Sequence, residues 1–98
     1  MKKQLAILGS TGSIGTQALE VISENPDLFE IYTLTANNNV DLLIEQARRF
    51  EPEAVVIANE KHYKKLTEAL ADIPVKVYAG QEAIAQIVES EPIDMVLT

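Results

Sequence analysis

The eleven residues Leu5-Ala-Ile-Leu-Gly-Ser-Thr-Gly-Ser-Ile-Gly15 constrain the fold more than any other stretch of the chain. A short apolar run breaks into Gly9, Gly12 and Gly15, spaced by three, and a helix-compatible pattern follows. A buried strand that passes through a glycine-rich turn into a helix has a specific physical use. The turn lets backbone come close to a phosphate, and the helix start aims unpaired N–H groups and the positive end of its dipole at it. G-x-x-G-x-x-G is a variant of the commoner G-x-G-x-x-G, and the roles still map. One glycine serves the turn, one the approach of backbone to a pyrophosphate, and one close helix–strand packing. Glycine turns also serve plain strand-to-helix packing, but the position after a strand and before a helix is the context that phosphate binding requires.

The rest of the chain repeats that alternation. The first strand, Gln4–Leu8, is short and apolar, as a parallel strand buried on both faces should be. Ile14, Ala18, Val21 and Ile22 share one face of a helix from about Ser13 to Asn25, stopped by Asn25-Pro26. Strand two is Ile31–Ala36. Asn39 is a good cap for the next helix, with Asp41 in its first turn and Val40, Leu43, Ile44, Ala47 and Phe50 along one face; Pro52 closes it. Strand three is Ala54–Ala58. A more polar helix, about Glu60 to Ala71, turns Tyr63, Leu66 and Leu70 inward. Strand four is Val75–Ala79. A last helix, about Gln81 to Ser90, is anchored by Ile84, Ile87 and Val88 and stopped by Pro92, and Ile93–Leu97 forms strand five. Five strands and four helices in alternation predict an α/β domain with a Rossmann-like doubly wound parallel sheet, right-handed crossovers and strand order 3-2-1-4-5.

At 98 residues the chain holds one domain, residues 1–98, and a hydrophobic share of 47% with 23% charged residues fits a globular fold. No apolar run approaches the roughly 20 residues needed to span a bilayer. Lys2 and Lys3 precede too short an apolar run for a signal peptide, and the cytoplasm is the expected location. Absence of cysteine excludes disulfides, thiolate metal sites and cysteine nucleophiles within this chain. The net charge of −7 argues against nucleic acid, which needs basic stripes. It does not argue against a dinucleotide. A unit charge 10 Å away in water costs roughly 0.4 kcal/mol before screening, whereas a hydrogen bond to a charged group contributes about 1.5–3 kcal/mol.

The end of strand two is the second check on a dinucleotide site. An NAD-preferring site places Asp or Glu there for the ribose 2′-hydroxyl. Here Thr35-Ala36-Asn37-Asn38-Asn39 carries no carboxylate before Asp41, and no Arg or Lys either. Amide N–H donors accommodate a 2′-phosphate that a carboxylate repels. Asparagines that merely populate a loop and cap a helix explain the same residues nearly as well.

Ile7-Leu-Gly-Ser-Thr-Gly-Ser-Ile-Gly-Thr16, Ala36-Asn-Asn-Asn-Val40 and the run from Gln46 to Val56 (QARRFEPEAVV) together resemble the 1-deoxy-D-xylulose 5-phosphate reductoisomerase family. The resemblance covers all 98 residues but only the family's amino-terminal nucleotide-binding part. It implies an enzyme that rearranges and reduces 1-deoxy-D-xylulose 5-phosphate to 2-C-methyl-D-erythritol 4-phosphate in the non-mevalonate isoprenoid pathway. NADPH, Mg²⁺ or Mn²⁺ in the full-length enzyme, and a homodimer free of nucleic acid and membrane are implied with it. The family's NADPH loop falls on Thr11, Gly12, Ser13 and Ile14, flanked by Gly9 and Gly15, and its contact around the 2′-phosphate falls on Asn37, Asn38 and Asn39. Many members carry glycine then lysine where this chain has Asn37 and Asn38, so neutral amides replace a charged phosphate contact. The family's metal ligands, catalytic lid and substrate-phosphate site match no residue here. We therefore expect a truncated NADPH-binding domain, with the catalytic and carboxy-terminal domains absent, that is inactive alone.

Two other readings share the fold. One is another NADPH oxidoreductase, such as a semialdehyde-dehydrogenase-like domain; the other is a non-enzymatic dinucleotide-sensing domain. The Tyr-x-x-x-Lys pair of short-chain dehydrogenases is absent, since neither Tyr63 nor Tyr78 has a lysine four residues on. His62, the only histidine, reads as a solvated helix-face residue, and Lys61, Lys64 and Lys65 as a solvated face beside Glu60 and Glu68. Glu51, Glu53, Glu89 and Glu91 flank prolines at helix ends, where surface solubility explains them.

Overall fold

The computed structural model describes residues 2–89 and 92–97. Ser90 and Glu91, at the expected end of the last helix, lie outside the described residues, as do Met1 and Thr98. The elements follow in the order β1 (Lys3–Ile7), α1 (Ser13–Ser23), β2 (Phe29–Ala36), α2 (Val40–Phe50), β3 (Ala54–Ile57), a 3₁₀ turn (Glu60–His62), α3 (Tyr63–Ala69), β4 (Lys76–Ala79), α4 (Gln81–Val88) and β5 (Met95–Leu97). All strand pairings are parallel, in one five-stranded sheet.

The strand order is β4-β3-β2-β1-β5, not the expected 3-2-1-4-5. The chain runs outward through four strands before it reverses, and only then does β5 pair with β1. The reason lies in the fourth strand. Lys76 and Tyr78 are exposed between half-buried Val77 and Ala79, an alternation that suits an edge and not a position beside β1 covered on both faces. By contrast β3, Ala-Val-Val-Ile, is buried throughout.

Ion pairs join α1 to α2 (Arg49–Glu20) and α2 to the α3 region (Lys65–Asp41, Arg48–Asp72), so these three helices lie side by side. The core forms between them and β1–β3: Leu5, Ile7, Leu34, Val55 and Ile57 of the sheet meet Leu19, Ile22, Leu43, Ala47, Leu66 and Leu70. Helix α4 buries no residue fully, and Ile84, Ile87 and Val88 are half-buried. Among the described residues no helix is long and apolar enough to cross a membrane.

Two helix faces differ from expectation. On α1 the buried residues are Gly15, Leu19 and Ile22, whereas Ile14 is 72% and Val21 56% exposed. Gly15 is where α1 comes up against the backbone of the turn after β1, so the helix is rotated toward a residue without a side chain. The expected helix at Glu60–Ala71 begins instead as the 3₁₀ turn, because the Asn59 side chain caps it by accepting from Lys61 N at 3.2 Å. That turn leaves Tyr63 exposed, and only Leu66 and Leu70 of the expected trio are buried. It also holds His62 half-buried, not fully solvated, while Lys61, Lys64 and Lys65 are exposed and Lys65 pairs with Asp41 at 2.7 Å.

Candidate functional site

Backbone conformation and packing separate the three glycines of the turn after β1. Gly9 has φ +72°, a conformation that side chains disfavour. A Cβ on Gly15 would collide with the Gly9 carbonyl oxygen and lie 2.7 Å from Ser10 Cα, so the packing of α1 on the turn requires glycine there. Gly12 is different. It is exposed and extended (φ −82°, ψ 176°), and a Cβ there would meet only Gly9 O, at an ordinary 3.5 Å. Nothing in the folded chain requires glycine at Gly12.

Gly12 is also the N-cap of α1, with no side-chain cap and no acidic residue in the first turn. The first helical bond runs from Thr16 N to Gly12 O (2.9 Å), which leaves the N–H groups of Ser13, Ile14 and Gly15 without an intrahelical acceptor. This end of the helix presents donors, and its dipole favours an anion. Thr11 is half-buried beside exposed Gly12, Ser13 and Ile14.

A buried polar clasp holds the turn in place. Gly9 N donates to Thr35 Oγ1 (3.1 Å) and Ser10 N to Thr35 O (2.8 Å), tying the turn to β2. Ser10 Oγ donates to Gln46 Oε1 (2.7 Å), and Gln46 Nε2 donates back to Ser10 O (2.8 Å), tying it to α2. All three side chains are buried. A one-residue register shift between β1 and β2 pairs Ile7 with Leu34, which brings Thr35 beside the turn. Sequence reasoning missed Ser10, Thr35 and Gln46. The available signal was Gln46 itself, a polar residue on the otherwise apolar stripe of Leu43 and Ala47. Gln46→Leu keeps the bulk, strands Ser10 O and leaves Ser10 Oγ only its longer bond to Thr35 O (3.3 Å), and we expect it to cost about 1–3 kcal/mol, or roughly 4–24 °C of melting temperature. A thermal melt within about 2 °C of the parent would show that the clasp does not hold the turn.

The asparagine corner stands at the carboxyl end of β2, next to the turn at the end of β1. Asn37, Asn38 and Asn39 are all exposed. Asn39 caps α2 as expected, its Oδ1 accepting from Leu42 N at 3.2 Å. Asn38 Oδ1 accepts from Asn59 Nδ2 (2.7 Å), a partner on the loop after β3 that the sequence did not suggest. Turn and corner are thus adjacent at one end of neighbouring strands, where an open parallel sheet places its ligands. The carboxyl of Asp72 is held below its ordinary pKa, chiefly by a hydrogen bond from Arg48, but it lies before β4 at the opposite end of the sheet. Among the described residues no group of three or more His, Asp or Glu side chains is placed to hold a metal ion.

A family model described as 1-deoxy-D-xylulose 5-phosphate reductoisomerase matches residues 5–98. The chain is 75% identical over 97 residues to the 1-deoxy-D-xylulose 5-phosphate reductoisomerase of Phocaeicola vulgatus, covering 99% of this chain and 25% of that protein. Among solved structures, one of DOX-P reductoisomerase in complex with magnesium superposes with a TM-score of 0.92 at 32% identity, covering 98% of this chain and 24% of that one. The Zymomonas mobilis reductoisomerase in complex with NADPH superposes at 0.85 and 38% identity, covering 88% of this chain and 23% of that one. The chain spans about a quarter of the length of the curated relatives it matches.

Proposed function

Since the chain belongs to the 1-deoxy-D-xylulose 5-phosphate reductoisomerase family, we propose that residues 1–98 are the NADPH-binding domain of an enzyme that converts 1-deoxy-D-xylulose 5-phosphate to 2-C-methyl-D-erythritol 4-phosphate. The observation that carries this reading is Gly12. A glycine that the fold does not need, at an uncapped helix start with free N–H groups, is explained by a ligand whose phosphate must touch backbone. Gly9 and Gly15 shape the cradle, and Thr11, Gly12, Ser13 and Ile14 line it. NADPH, once bound, supplies the hydride; this chain's residues hold and orient it.

Asn37, Asn38 and Asn39 form the proposed 2′-phosphate corner. Their exposure and their position one strand from the turn support it, as does the NADPH in the Zymomonas mobilis relative. The sugar-phosphate substrate, the Mg²⁺ or Mn²⁺ and the acid–base groups are assigned to parts of the full-length enzyme outside these residues, and the chain alone is inactive in this reading. A cytoplasmic homodimer that binds neither nucleic acid nor membrane completes the proposal.

Calorimetric titration of the chain with NADPH and, separately, NADH tests it. Preferential binding of NADPH is the expected result, and binding of neither would remove the cofactor role from this chain. Asn38→Asp puts a carboxylate against the 2′-phosphate and should weaken NADPH by about tenfold or more with a much smaller effect on NADH. Equal losses for both would take Asn38 out of the corner.

A further inference from the structure

We propose that Asn59 is a specificity-determining positioning residue, which turns the amide of Asn38 so that its N–H donors face the cofactor's 2′-phosphate. The proposal rests on the NADPH reading above. It starts from a backbone donor. Lys61 N–H bonds only to an acceptor, and it meets Asn59 Oδ1 at 3.2 Å, which fixes which way the Asn59 amide lies. The other end of that amide, Nδ2, is donor only. It points at Asn38, which must therefore offer its oxygen, and the contact is Asn59 Nδ2 to Asn38 Oδ1 at 2.7 Å. An amide carries its oxygen and nitrogen on opposite sides of Cγ, so the donors of Asn38 are left for the open side of an exposed residue.

The backbone holds this relay in register. Ala58 N donates to Ala36 O (2.8 Å) and Asn59 N to Asn37 O (3.0 Å), so the chain leaving β3 is fastened to the end of β2 and to the residue just before Asn38. Asn38 Oδ1 is thereby committed without using the donors that an anion needs.

The chemistry of the two cofactors makes this a matter of specificity. A 2′-phosphate offers only acceptor oxygens and negative charge, so it binds N–H donors and is repelled by an outward Oδ1. The 2′-hydroxyl of NADH both donates and accepts, so it bonds either end of the amide. With asparagine, and not a cation, at this corner, the orientation of one amide replaces charge as the discriminator.

Titration of the parent chain, Asn59→Ser, Asn38→Ala and the double variant with NADPH and NADH tests the relay. Serine keeps a cap oxygen for Lys61 N–H and removes the arm that reaches Asn38. We expect Asn59→Ser to lower the NADPH-over-NADH preference by roughly three- to tenfold, with no further change when Asn38 is already alanine. If the serine variant does not fold, Asn59→Asp decides instead. It keeps the cap, offers Asn38 an acceptor and so turns the Asn38 donors inward, and its loss of preference should exceed any that remains in the Asn38→Ala background. A parent preference left intact by these variants, or lowered equally without Asn38, would overturn the relay alone. A parent that binds both cofactors alike, or neither, would overturn the corner or the cofactor reading beneath it.

Discussion

Gly15→Val is expected to remove a large part of the chain's stability. Valine and glycine differ by only a few tenths of a kcal/mol in helix propensity, so the helix itself hardly registers the change. The new Cβ is a different matter. It would overlap the Gly9 carbonyl oxygen and stand 2.7 and 2.9 Å from Ser10 Cα and C, and all three atoms are backbone. No rotamer relieves a collision with backbone; α1 must move off the turn. The turn cannot follow freely, because its Ser10 is clasped by Thr35 and Gln46. Overpacking of this kind costs about 3 kcal/mol or more, against a total stability of about 5–15 kcal/mol for a domain of this size. The melting temperature should fall by roughly 12–24 °C. A circular-dichroism melt within about 4 °C of the parent would show that the turn yields, and that close packing is not what demands glycine.

The collision explains why the fold was only partly legible. Gly9, Gly12 and Gly15 announced a strand, a turn and a helix, and each element formed. The phase of that helix did not follow from its apolar residues. Counting Ile14 and Val21 as inward overlooked that a glycine marks the face of closest approach, since it adds nothing to a hydrophobic pattern. Strand order was legible in principle, because Val75-Lys-Val-Tyr-Ala79 alternates where the apolar runs of β1 and β3 do not, but the alternation of elements alone is compatible with several orders. The clasp and the Asn38–Asn59 pair were out of reach for another reason. They join residues 36 and 21 positions apart, and no local pattern encodes which polar side chain another will meet.

Valine at Gly12 should do the reverse of valine at Gly15: leave the fold and remove the ligand. The backbone there is extended, which a β-branched residue adopts readily, and the new Cβ makes one ordinary contact at 3.5 Å. Valine is a poorer N-cap than glycine, so a loss of about 1 kcal/mol is the ceiling expected from the helix end. For a pyrophosphate the same methyl groups stand between the ligand and the N–H groups of the first turn. Losing two hydrogen bonds to a charged group, at about 1.5–3 kcal/mol each, lowers NADPH affinity by roughly 100-fold or more. NADH should lose as much, because the pyrophosphate is common to both, and this distinguishes the turn from the asparagine corner, where only NADPH responds. Parallel melts and titrations of the two valine variants give the outcome directly. A Gly12→Val chain that melts like the parent and still binds NADPH like the parent would mean that the phosphate sits elsewhere, and that Gly12 has no role this structure explains.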